Sequence, residues 1–270
     1  MMAQAQALFA PRPRRLAEAK HLGAFKFLSL GVSHAGGVRT LNEDAFLNRA
    51  DIGLWAVADG MGGHDSGEVA SALVVEELGK VSAFGSAYAF RHGVCDALMR
   101  ANDTLQAMAA ERMSGAIGAT VVALLVHQGH YACVWAGDSR AYLYRGGQLR
   151  RLTRDHSVVQ ALVDSGQVRQ DQARAHARSN VITRAVGAHK ALELDSVHGG
   201  IQPGDRFLLC SDGLTTVVDD REIAELLIRP PLQGAADRLL TKALSRGAPD
   251  NVTAVLIGAE LRTGGGDALG

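Results

Sequence analysis

Between Thr120 and Leu152 four short strand-like runs follow one another with barely a break. Thr120 to Val126 (TVVALLV) stops at His127-Gln128-Gly129-His130, and Tyr131 to Ala136 returns. Ala141 to Tyr144 and Gln148 to Leu152 then flank Gly146-Gly147, a hairpin signal. Connections this short join antiparallel neighbours, because a parallel partner needs a crossover of about a dozen residues or more. The spacing therefore predicts antiparallel sheet and argues against a succession of βαβ units. Further strand-like runs start at Phe25 and Leu54, and cover Arg206 to Cys210 and Val252 to Ile257.

Helical periodicity lies elsewhere. Val69, Leu73, Val74, Leu78 and Val81 recur at helical spacing after Glu68. A longer pattern from Phe90 to Met108 fills most of Ser86 to Arg112. Two more helical patterns, Asp220 to Ile228 and Ala235 to Ser245, are separated by Pro230-Pro231. Amphipathic helices of this kind belong on the outside of a sheet. Arg154 to Val186 is polar, holds one short helical piece (Val158 to Val163), and reads as a surface excursion between strands. No internal repeat or linker divides the chain. The expectation is a flexible extension over 1–22, one domain over 23–262 and a disordered tail over 263–270.

A chain of 270 residues, 47% hydrophobic and 21% charged, can bury a large core. Its 28 basic residues equal its 28 acidic ones, for a net charge of +0. That balance argues against nucleic acid or an anionic membrane as partner, since both need a basic face. Cys95, Cys133 and Cys210 are spaced for neither a disulfide framework nor a zinc site, which favours a reducing compartment. No apolar run reaches the ~20 residues of a membrane-spanning helix. At the N-terminus the charges follow the short apolar piece, the reverse of a signal peptide. A cytoplasmic, monomeric protein is expected.

The chemistry is carried by acids at strand ends. Apolar runs stop at Asp59-Gly60, at Gly137-Asp138 and, after Ser211, at Asp212-Gly213. Asp250-Asn251 precedes the Val252 strand, and Glu43-Asp44 sits between two β segments. Asp beside Gly is usually only a turn former. One such acid would be read that way, whereas five at strand ends look like a site. Carboxylates and main-chain carbonyls are hard oxygen donors, suited to magnesium or manganese and poorly suited to copper or structural zinc. Two such ions a few ångströms apart would share a water, lower its pKa and clamp an in-line displacement at phosphorus.

The ordered set R-x-x-N-E-D (Arg39 to Asp44), A-D-G-M-G-G-H (Ala58 to His64), G-D-S-R (Gly137 to Arg140), S-D-G-L (Ser211 to Leu214) and D-N-V-T (Asp250 to Thr253) resembles the metal-dependent serine/threonine protein phosphatases of the PPM, or type 2C, family. Asp155-His156-Ser157 and Ile182 to Gly187 are similar to its bacterial branch. The resemblance covers roughly Phe25 to Ala259. Around GLWAVADGMGGH the chain is also similar to stand-alone phosphatases encoded with kinases of type VI secretion systems.

The resemblance implies an α+β fold, a four-layer α-β-β-α sandwich with the metals at one end. It implies a phosphoserine and phosphothreonine hydrolase in which a hydroxide bridging two metal ions attacks phosphorus with no phosphoenzyme. Two or three Mn2+ or Mg2+ ions are implied. Asp59 would bridge two of them, Asp212 and Asp250 would complete one shell, and Glu43 with the Gly60 carbonyl would serve the other. Asp44 would act through bound water, and Asp138 with Asp212 would form a third, weaker site. Arg39 would grip the substrate phosphate, a role its planar fork suits. Met61 stands where some relatives carry a histidine, so the proton donor to the leaving alkoxide is either His64 or a metal-bound water. His156 reads as structural. Arg154 to Val186 corresponds to the family's variable flap, whose arginine surplus could help seat a phosphorylated segment. The expected partners are phosphorylated proteins, including a cognate serine/threonine kinase or its substrates.

Two other readings stand beside this one. The first is a catalytically silent, phosphoprotein-binding regulator of the same fold, which loss of an acidic ligand would favour; none is lost. The second is a phosphoesterase for small molecules or nucleotides, for which no nucleotide-binding motif speaks.

Overall fold

The computed structural model describes residues 14–62, 66–83, 85–112, 117–178 and 180–262. One sheet contains β1 (Arg14–Leu22), β2 (Phe25–His34), β8 (Arg140–Arg145), β9 (Gln148–Arg151), β11 (Arg206–Cys210) and β12 (Val252–Leu261), in the spatial order β1-β2-β12-β11-β8-β9. The other contains β3 (Asp44–Arg49), β4 (Leu54–Met61), β6 (Val121–His127), β7 (His130–Ala136) and β10 (Asp195–Gly200), in the order β10-β7-β6-β4-β3. The short β5 (Gly118–Ala119) pairs with the end of β4. Every pairing is antiparallel, as the tight turns predict.

Alternation along the strands builds the layers. On β4, Leu54, Ala56 and Ala58 pack outward against α1 (Ser66–Gly79) and α2 (Ala87–Arg112), where Val74, Leu78 and Leu98 meet them. Trp55 and Val57 point the other way and meet Phe27, Phe207 and Val255 between the sheets. The first sheet repeats the pattern. Leu208 and Leu256 pack outward on Ile223 of α5 (Asp220–Leu227) and Leu239 of α6 (Leu232–Ser245), while Leu209 and Ile257 join the core between the sheets. Central strands buried on both faces read as unbroken apolar runs because each face needs its own apolar partner. The result is the four-layer sandwich. Inside it, Asn48 Oδ1 accepts from Trp55 Nε1 at 2.9 Å and from Ser29 Oγ at 2.8 Å, so the buried amide and its neighbours are satisfied.

Strand direction gathers the acids at one end. β12 lies between β2 and β11, so Asp250 at its start falls beside Asp212, which follows the end of β11. In the other sheet Asp44 is paired directly with Asp59 across β3 and β4. Asp138 follows β7, whose last residue Ala136 pairs with Val121 at the start of β6. α4 (Asp212–Thr215) begins on the acid itself.

One expectation changes. Residues 14–22 do not fray: they form β1, which pairs along its whole length with β2 through the two-residue turn Gly23-Ala24. An edge strand can be held by main-chain hydrogen bonds alone, so it needs no apolar alternation to announce it. β10 was absent from the periodicity for a similar reason. Its sequence DSVHGG is largely exposed and pairs only with β7. Residues 1–13 and the expected tail over 263–270 lie outside the described residues. Between β9 and β10 the chain leaves the sheets for α3 (Val158–Asp164) and a 3-10 turn (Gln170–Ala175), with isolated bridges Ser157↔Ile182 and Ala119↔Val186 at its margins.

Candidate active site

The end of β4 is wedged in place. Asp59 accepts from the Thr120 amide at 2.8 Å through its carbonyl, and its own amide reaches Thr120 Oγ1 at 3.3 Å. The same hydroxyl lies 2.7 Å from Ser139 Oγ, which ties this strand end to the turn carrying Asp138. The Gly60 amide donates to the Glu43 carbonyl at 3.1 Å. A Cβ on Gly60 would overlap the Gly67 carbonyl in the first turn of α1, so only glycine fits. The Glu43 carboxylate lies against Gly67 in that same turn, where the N-terminal end of a helix favours negative charge.

Asn251 stitches the opposite loop. Its Oδ1 accepts from the Glu43 amide at 2.8 Å, and its Nδ2 donates to the carbonyls of Ala35 at 3.0 Å and Leu41 at 2.8 Å. Asn251→Ala would strand these main-chain groups in a partly buried setting. The expected cost is about 2–4 kcal/mol, read as a lower urea midpoint with an unchanged m value.

The acids are packed together with too little positive charge. Asp44 is buried; Ser211 Oγ donates to its Oδ2 at 2.8 Å, whereas Oδ1 is buried with no hydrogen-bond partner among the described residues. Burial, with smaller pushes from Asp212 and Asp250, raises Asp44 to about 7 against the pull of hydroxyls from Thr253 and Ser211. Asp59 is raised well above the carboxylate range by burial and then by Asp44, Asp212, Asp138 and Asp250. Burial and the Asp212 charge take Asp138 up to about 8, and burial and Asp250 take Asp212 up to about 6. The Asp59 carboxyl opposes part of the rise at Asp212.

Among the described residues no group of three or more acidic, histidine or cysteine side chains is arranged to hold a metal ion as it stands. The donor set nevertheless fits hard divalent cations. It is all oxygen, it repels itself, and it leaves a buried Asp44 oxygen unpaired. Arg39 Nη2 donates to Asp250 Oδ2 at 3.0 Å from a half-exposed position at the rim. Beside Asp138 and Asp212, a cleft of about 340 Å³ is also lined by Arg140, Asp155 and Asn180.

All the acids expected at the site are therefore at one end of the sandwich: Glu43, Asp44, Asp59, Asp138, Asp212 and Asp250, with Gly60 among them and Arg39 at the edge. His64 lies outside the described residues. His156 is structural in its contacts. Its Nδ1 accepts from the Gly137 amide at 3.1 Å, which leaves the hydrogen on Nε2 toward Asp195, and its ring stacks on Trp135. Three arginines of the 154–186 segment are paired: Arg154 with Asp164, Arg169 with Asp171, and Arg184 with Asp195 and Glu193 beyond the segment.

A sequence profile of the family described as Protein phosphatase 2C matches residues 31–254. The chain belongs to the protein phosphatase 2C family. It is 36% identical over 242 residues to a serine/threonine phosphatase, stp, of Listeria monocytogenes, an alignment covering 86% of this chain and 96% of that one. Its fold is similar to that of PppA, a key regulatory component of the type VI secretion system in Pseudomonas aeruginosa. That likeness has a TM-score of 0.82, 40% identity, and coverage of 90% of this chain and 100% of the other. The catalytic domain of the phosphatase PstP, solved with 2 manganese ions, is similar at a TM-score of 0.79 and 36% identity, over 87% of this chain and 99% of that one.

In this protein phosphatase 2C member several supporting residues had been visible only as letters of the motifs. Arg140 forks onto Asp155 through Nε at 3.1 Å and Nη2 at 2.7 Å, and Arg151 pairs with the same carboxylate. Arg140 thereby brings positive charge close to Asp138 and Asp212, both of which it holds down. Ser211, Thr120 and Asn251 hold main chain and carboxylate in register. Ser211 and Asn251 stand in the motifs, whereas Thr120 is only the first residue of a strand-like run, and no spacing rule states what any of them touches.

Proposed function

We propose that the chain hydrolyses phosphoserine and phosphothreonine in proteins, using Mn2+ or Mg2+ held by this acidic end of the sandwich. The observation that carries the reading is the buried set of mutually repelling carboxylates, in a chain whose relatives are named serine/threonine phosphatases. Asp59, Asp212 and Asp250 would hold one ion, and Asp59, Glu43 and the Gly60 carbonyl a second. Asp138 with Asp212 would serve a third. When bound, such ions supply Lewis acidity toward phosphoryl oxygens and a nucleophile at neutral pH.

The chain's own residues do the rest. Arg39 orients the phosphate: its fork exchanges Asp250 Oδ2 for phosphate oxygens, which suit it better because two can be paired at once. Ser211 holds Asp44 by Oδ2, so Oδ1 is left to take a hydrogen bond from water. The Gly60 and Glu43 main chain keeps the donor carbonyl fixed during turnover. His64 is proposed as the proton donor to the leaving alkoxide. The cognate activity is a serine/threonine kinase whose phosphorylation this enzyme reverses, and the working form is a monomer in the cytoplasm. The three unpaired cysteines agree with a reducing compartment. No helix among the described residues is long and apolar enough to cross a membrane.

The test is phosphate release from a phosphothreonine peptide with manganese and with chelator, wild type against Asp212→Ala. Manganese-dependent release that collapses in the variant is the expected result. No release from folded, manganese-loaded wild type would remove the hydrolase reading and leave a phosphoprotein-binding regulator in its place.

A further inference from the structure

The loop from Ala35 to Asn42 combines a pinned backbone with unusual side-chain exposure. Gly37 donates to the Ala248 carbonyl at 2.8 Å. Gly36, at φ +85°, lies so close to the Asp250 carbonyl that any Cβ would overlap it. Asn251 grips the Ala35 and Leu41 carbonyls from below, and Asn42 Nδ2 donates to Ser33 Oγ at 2.8 Å. A loop held at this many points does not fold its apolar side chains away. Val38 is 70% exposed and Leu41 49% exposed, with Arg39 between them in sequence.

Single exposed apolar residues need no explanation. These two are distinguished by their place. Of the seven exposed large apolar side chains among the described residues, Val38 and Leu41 flank the arginine that reaches Asp250, and Val181 adjoins Asn180, a wall of the acidic cleft. Three of seven thus lie on segments bordering one site. The floor of that site is carboxylate, so apolar surface at its rim has no part in holding cations.

We propose that Val38 and Leu41 form an apolar subsite that receives an apolar side chain one or two residues away from the phosphoresidue of the substrate. The reading rests on Arg39 as the phosphate-gripping residue and therefore on the proposed phosphatase function. A substrate whose phosphate is held by Arg39 lays its neighbouring residues against the residues next to Arg39. A leucine there covers Val38 and Leu41 and is itself removed from water. An acidic residue gains nothing from that contact. Because the loop is already rigid, little ordering entropy opposes the contact.

The test uses phosphothreonine peptides carrying leucine, serine or aspartate at each position from two before to two after the phosphoresidue, with kcat/KM measured in manganese. Wild type is expected to favour leucine over serine at one or more of these positions, on the order of fivefold to tenfold for the burial of most of one side chain. The Val38→Ser, Leu41→Ser double variant is expected to lose that preference while hydrolysing p-nitrophenyl phosphate at the wild-type rate. Ile228→Ser, an exposed apolar position that follows α5, should leave it intact. A flat wild-type profile, or a preference that survives in the double variant, would overturn the subsite while leaving the hydrolase standing. Absence of turnover on p-nitrophenyl phosphate as well as on every peptide would remove the hydrolase reading and the subsite with it.

Discussion

Asparagine in place of Asp59 is expected to abolish turnover while raising the melting temperature of the metal-free protein. The two effects share a cause. Asp59 is buried to the point that its carboxyl is held well above the normal range, and four other aspartates add to the penalty. Asparagine has nearly the same shape and no charge, so the chelated variant is relieved of a burden that the wild type carries. It also lacks the anionic oxygens needed to bind cations, and the loss in kcat is expected to be at least on the order of 10³-fold. Melting in chelator beside phosphate release in manganese reads both. A residue that merely supported the fold would lose stability and activity together, so a lower melting temperature for Asp59→Asn would count against this account of the cluster.

The second large effect is an inverted pH dependence. Most paired carboxylates have folded pKa values below their unfolded ones, and their contribution disappears in acid. Asp44, Asp138 and Asp212 go the other way, from 3.8 to about 7, about 8 and about 6. The folded state binds their protons more tightly, so stability falls as pH rises from about 4 through about 8. Each pKa unit corresponds to about 1.36 kcal/mol, and for a chain of this size each kcal/mol is worth about 2–4 °C. Even with relaxation of the cluster, the chelated protein is expected to melt roughly 10 °C lower at pH 8 than at pH 5. Saturating manganese should flatten the slope, because it competes with those protons. A hundredfold excess over Kd contributes about 2.7 kcal/mol. A chelated protein whose melting temperature rises over this range would show that the acids are not packed against one another as described.

The acids were legible because they interrupt apolar strands, and the strands were legible because their periodicity or apolar length is set by burial. Leu54 to Ala58 and Arg206 to Cys210 are buried on both faces, and neither run could be mistaken for a loop. Convergence was harder to read. Asp44 and Asp59 face each other through a register that no local pattern encodes, and Asp250 reaches Asp212 only because β12 inserts between β2 and β11. The ordered motifs supplied what periodicity could not. β1 and β10 escaped notice because edge strands are held by main-chain hydrogen bonds, which carry no side-chain signature. In the 154–186 segment, composition shows the arginines but not their partners: Asp164, Asp171, Glu193 and Asp195 pair with Arg154, Arg169 and Arg184.

The insertion of β12 also sets the timing of function on the ribosome. Until residues 252–261 have emerged, the first sheet is two separate pieces, β1-β2 and β11-β8-β9, with no strand to join them. A nascent chain therefore holds most of its acids yet can bring neither Asp250 nor Asn251 to them. A chain ending before that point is expected to release no phosphate, because the strand that carries Asp250 and Asn251 into place is the last to be made.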